Sequence, residues 1–85
     1  MPYSSAMDTF PPNQLPRLHP LARLRILKGL TQEQLAAAAG IDRGELSRIE
    51  RGIRPLMPAR LASIAQVLGC TPDELTARLR ELAEA

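Results

Sequence analysis

From residue 20 onward, apolar positions recur every three or four residues, with single glycines breaking the pattern at regular places. Leu21, Leu24 and Leu27 share one face of a predicted helix over 20–28, and Leu35, Ala36 and Ala39 share one over 32–39. Leu46 and Ile49 mark a third helix over 43–51. Leu61, Ile64, Ala65 and Leu68 mark a fourth over 58–68, and Leu75, Leu79 and Leu82 a fifth over 72–83. No stretch shows the period-two alternation of a strand. Gly29, Gly40, Gly52 and Gly69 each follow an apolar-periodic run, where a helix end favours a residue that tolerates left-handed backbone. The helix starts carry matching signals. Thr31 with Gln34 reads as a capping box, and Asp42 with Glu45 as its acidic version. Thr71-Pro72-Asp73-Glu74 combines a cap, a first-turn proline and an acid, and Pro58 also suits a first turn. The pattern predicts an all-α chain folded as a compact five-helix bundle.

Residues 1–17 break this pattern. Pro2, Pro11, Pro12 and Pro16 stand among residues of little periodicity, and both aromatics of the protein, Tyr3 and Phe10, lie here. The segment is expected to be a flexible, proline-rich arm preceding a domain over 18–85. At 85 residues the chain suffices for one domain, and such a chain buries only about 60% of its unfolded surface, so pairing with a second copy is expected.

Charge matters here through its placement. Lys and Arg number 11 against 9 Asp and Glu, a net charge of +2. Lys28 is the one lysine; every other cation is arginine, whose fork suits phosphate and guanine. Cys70 is the single cysteine, so no internal disulfide forms and a reducing compartment fits. No apolar run approaches the roughly 20 residues of a membrane span, and the start lacks a secretory pattern, so a cytoplasmic protein is expected. His19 has no cysteine or acid at ligand spacing, which argues against a metal. No phosphate-cradling glycine loop, paired catalytic acids or nucleophile–base pattern is present, so neither an enzyme nor a cofactor is expected.

The chemistry concentrates on the third helix. Only Gly40-Ile41-Asp42 separates it from the second, a turn that sets two helices at a steep angle while Ile41 plugs into the core. At about 100° per residue from Arg43, Ser47, Arg51, Gly44 and Arg48 fall between about 40° and about 140°. Leu46 at about 300° and Ile49 at about 240° lie on the other side, flanked by Glu45 and Glu50. One whole exposed stripe is therefore basic, with no acid in it. A solvated face normally mixes signs, so this stripe points to nucleic acid.

The run LRILKGLTQEQLAAAAGIDRGELSRIERGIR, followed by LASIAQVLGCTPDEL, resembles the Cro/repressor-type (XRE-like) helix-turn-helix family of phage and bacterial regulators, over about residues 18–76. The proline-rich arm and Leu56-Met57-Pro58 depart from that pattern. The resemblance implies a five-helix domain of the phage-repressor type, usually dimeric, whose third helix reads double-stranded DNA. It implies a transcriptional regulator, a repressor, acting as a homodimer on a palindromic operator. Arg43 and Arg48 are then expected at base edges, with Gly44 and Ser47 on the same side. Gly44 would let the backbone approach the groove, or is simply a weak helix residue near a helix start. Arg51 and Arg54 suit phosphates, and Gln32 resembles the family's phosphate-binding glutamine, the alternative being an ordinary early-helix residue. Arg25 and Glu50 are expected as a partly buried structural ion pair, and Glu45 as a capping residue rather than a cytosine reader. The last two helices, with Leu75, Leu79 and Leu82, are the expected dimer surface. The competing reading is an antitoxin or helical protein-interaction module, with a protein partner and secondary DNA binding. A controller of restriction–modification genes fits the length equally well.

Overall fold

The computed structural model describes residues 18–84, so the expected arm over 1–17 lies outside the described residues. Five helices follow in order: α1 (Pro20–Leu27), α2 (Gln32–Ala39), α3 (Arg43–Glu50), α4 (Pro58–Leu68) and α5 (Pro72–Glu84). Among the described residues there is no strand.

Local chemistry accounts for where the helices start. Thr31 and Gln34 form the complete capping box, each side chain bonding the other's backbone N–H. Thr71 and Glu74 do the same ahead of α5, at 3.1 and 2.8 Å. Asp42 caps α3 by accepting the Glu45 N–H at 3.2 Å. The reciprocal half of that box is missing, because the Glu45 carboxylate points elsewhere. The α2–α3 turn depends on Gly40, whose φ of 71° is left-handed. With the chain so turned, the Ile41 N–H reaches the Ala36 carbonyl at 3.0 Å and the Ile41 side chain is buried.

Leu21, Leu35, Leu46, Ile49, Ile64 and Leu75 are the large apolar side chains fully buried at the centre. Each such side chain contributes roughly 1.5–3 kcal/mol through burial. α2 packs on α3 and α4, and α5 on α1 and α4, while α3 rests on α2 and α1. The outer side of α3 is thereby left open.

Two expectations about apolar faces are corrected. Leu27 is 62% exposed, and Arg25 takes a place on the inward face of α1 instead. The buried face runs through Leu21, Leu24 and Arg25, and Leu27 lies about 240° round the helix from Leu21. Leu75 is fully buried in the chain's own core and so is not available to a second copy, while Leu79 and Leu82 pack against that core and stay half-buried. Arg23 of α1 donates to the Leu82 carbonyl, fastening α5 down along this face.

Candidate nucleic-acid interface

α3 is eight residues long, with Leu46 and Ile49 locked into the core and Asp42 closing its N-terminus. Those anchors fix its rotation. Arg43 and Arg48 are exposed, and Gly44 and Ser47 are half-buried beside them. Arg51, the residue after the helix, is exposed, and its Nε donates to the Ser47 carbonyl at 3.4 Å. Arg54 follows in the connection to α4, its side chain 51% exposed.

The two acids of α3 are both occupied by arginines from other helices. Glu50 is buried and takes a forked contact from Arg25 of α1, Nε to Oε2 at 2.8 Å and Nη2 to Oε1 at 3.1 Å. The pair is deeper than expected from the sequence, with side chains 1% and 4% exposed. Arg25 also donates to the Leu30 carbonyl at 2.9 Å, so its remaining charge is not stranded. Gln32 completes the knot by donating its amide to Glu50 Oε1 at 2.9 Å. The expected phosphate-binding glutamine therefore has its side chain turned inward. The first N–H groups of α2 have no partners within their own helix.

Glu45 makes the second forked pair, with Arg60 of α4: Nε to Oε2 at 2.8 Å and Nη2 to Oε1 at 3.2 Å. Arg54 Nε stands 3.7 Å from the same Oε2. Hydrogen bonding from Arg60 holds the Glu45 carboxyl below the usual carboxylate range; burial opposes this, and the charges of Arg60, Arg54 and Arg48 add to it. The same bond raises Arg60. Glu45 is thus an ion-pair residue, a correction to its expected capping role. Arg60 is the residue beside this face that the sequence reading missed. It lies 15 positions from Glu45, beyond any helical spacing rule, and only the return of the chain after Gly52 brings the two together.

Both acids within α3 are thus neutralised, and the acid that remains beside the arginines is Asp42, the N-cap of the helix. Arg43, Arg48 and Arg51 have no ion-pair partner among the described residues, whereas Glu45 and Glu50 are both neutralised. Gly44 contributes in its own way: a Cβ there would sit 2.8 Å from Asp42 Oδ2 and 3.5 Å from Arg48 Nη1. Its bareness leaves room for the cap of α3 and for the Arg48 guanidinium lying back over the first turn.

A helix-turn-helix family model matches residues 21–75, which run from α1 into the start of α5. The chain belongs to the Cro/repressor-type helix-turn-helix family. Within that family it is similar to an uncharacterized HTH-type transcriptional regulator of Sinorhizobium fredii, y4dJ, at 46% identity over 54 residues, 64% of this chain and 70% of that protein. It is similar also to an uncharacterized HTH-type transcriptional regulator of Bacillus subtilis, YazB, at 47% identity over 51 residues, 60% of this chain and 74% of that one. No solved structure matches the chain significantly. In helix-turn-helix terms α2 and α3 are the two motif helices, and the arginine face belongs to the second.

Proposed function

We propose that this helix-turn-helix protein is a sequence-specific, DNA-binding transcriptional regulator, a repressor, that lays α3 in the major groove of a palindromic operator as a homodimer. The observation that supports it is the pairing pattern on α3: each acid is taken by an arginine of another helix, and Arg43, Arg48 and Arg51 are left without acids. Arg43 and Arg48 are the base readers, their forks matched to guanine O6 and N7, with Ser47 and the bare backbone of Gly44 between them against the bases. Arg51, Arg54 and the α2 N-terminus at Gln32 hold phosphates and set the register. Both relatives carry the name of transcriptional regulators, which agrees with this reading. Half-sites lie about 10–10.5 base pairs apart, centre to centre.

Binding to a randomised duplex pool at several salt concentrations tests the proposal. Affinity falls steeply as salt rises, because neutralised phosphates release counterions. Arg43→Ala and Arg48→Ala relax the preference at particular base pairs, each by about 1–3 kcal/mol, whereas Arg51→Ala weakens all sequences alike. An unchanged preference in the Arg43 and Arg48 variants would remove the base-reading role. Ile53 and Met57, 64% and 53% exposed just beyond the arginine face, favour a second reading as a protein-interaction module, such as an antitoxin, with secondary DNA binding. A partner that displaces DNA from the protein, and loses its grip when Ile53 and Met57 become polar, would favour that reading.

A further inference from the structure

We infer that Arg60 is a positioning residue for DNA binding: by holding both oxygens of Glu45 in a close fork, it leaves Arg54 only a long 3.7 Å ion pair with that carboxylate, which Arg54 can give up for a phosphate. The inference rests on the DNA-binding reading above and deepens it. Glu45 is the one acid of α3 that stands at the edge of the arginine face, and its side chain is 13% exposed. Left alone, a carboxylate there would repel the DNA backbone and capture the nearest arginine. Arg60 prevents both by occupying Oε2 with its Nε at 2.8 Å and Oε1 with its Nη2 at 3.2 Å.

Arg54 is the arginine that would be captured. Its Nε makes a long ion pair with Oε2 at 3.7 Å, against 2.8 Å for Arg60, and its side chain is 51% exposed. One carboxylate offers a single good fork, and Arg60 has it. Both members of the fork report the contact: hydrogen bonding to Arg60 lowers Glu45, and hydrogen bonding to Glu45 raises Arg60. Removing Arg60 leaves both oxygens open, and Arg54 closes on them. A cation proposed for the phosphate backbone then becomes an internal counterion. Arg60 itself touches no DNA in this arrangement; it acts through Glu45.

The salt dependence of duplex binding by the full chain reads this directly, since each phosphate neutralised adds about 0.9 to the slope of log K against log salt. Arg60→Ala lowers the slope by about 0.9, so the affinity lost between 50 and 200 mM salt shrinks by about 3.5-fold. Arg54→Ala has the same effect in the wild type and none in the Arg60→Ala background. Glu45→Gln combined with Arg60→Ala restores the slope, because a neutral amide does not hold Arg54. Thermal melts accompany each variant, and Arg60→Gln replaces the alanine if that chain unfolds. An unchanged slope in Arg60→Ala, a further drop on adding Arg54→Ala, or no recovery with Glu45→Gln overturns the inference. It is overturned also by a loss of affinity that follows the melting temperature at constant slope. A wild type without salt-dependent duplex binding overturns the DNA-binding reading and this inference together. Wild-type binding with an unmoved Arg60 variant overturns this inference alone.

Discussion

Gly44 occupies the second position of α3, where alanine would ordinarily stabilise the helix by about 1 kcal/mol. The added methyl would meet Asp42 Oδ2 at 2.8 Å, the same oxygen that accepts the Glu45 N–H at 3.2 Å. Gly44→Ala therefore displaces the cap while it improves the propensity, and a lost N-cap costs about 1 kcal/mol. The expected outcome in urea unfolding is a net change near zero. In an Asp42→Ala background, where no cap remains to displace, Gly44→Ala recovers the gain of about 1 kcal/mol. A full gain in the wild-type background would show that the cap simply moves aside. The sequence leaves two meanings open for this glycine, a close approach to DNA or a weak helix start. The structure adds a third, space for a neighbouring side chain, which no single-residue rule exposes.

At the scale of the element, α1 shows how a helix end can carry a pH dependence. His19 caps it, its Nδ1 accepting the Leu21 N–H at 3.1 Å, which requires that nitrogen to be unprotonated. Burial lowers the His19 pKa from its ordinary value of 6.5, with the Glu50 charge pulling the other way. Since the folded value lies below the unfolded one, the unfolded chain binds more protons between the two. The cap's contribution is then fully present above pH 6.5 and is lost as pH falls below it. Urea midpoints at pH 7.5, 6.5 and 5.5 should decline, by less than the roughly 1 kcal/mol of a good N-cap because the imidazole is partly exposed. His19→Asn keeps a cap that does not titrate in this range and flattens the decline. An equal decline in that variant would assign the dependence to other groups. The sequence presents this histidine only as a residue without metal-ligand neighbours, because a histidine cap is outside the Ser, Thr, Asp and Asn signature.

Across the whole molecule, the knot of Arg25, Leu30, Gln32 and Glu50 joins α1, the loop after it, the start of α2 and the end of α3. Every buried polar side-chain atom among the described residues has a partner, so the knot is complete. Breaking it by Glu50→Ala strands a buried guanidinium and should cost about 3–5 kcal/mol, a large share of the stability of so small a domain. Replacing both partners with apolar residues, Arg25→Met with Glu50→Leu, should recover most of that loss, since no charge is then left unpaired. Chemical denaturation of the two variants separates the outcomes. A Glu50→Ala cost below about 1 kcal/mol would mean that water reaches Arg25, and the knot would lose its structural role.

Helix number, helix starts and stops, the short turn between α2 and α3 and the basic stripe were all legible along the chain, because each depends on residues within one or two helical turns of each other. The partners of the acids belong to the tertiary structure. Glu45 finds Arg60, Gln32 turns in to Glu50, Arg25 displaces Leu27 from the inward face, and Leu75 is spent on the chain's own core. Periodicity ranks positions on a helix without knowing how far its neighbours rotate it. Charge pairing between helices depends on that rotation, which only the packed core sets.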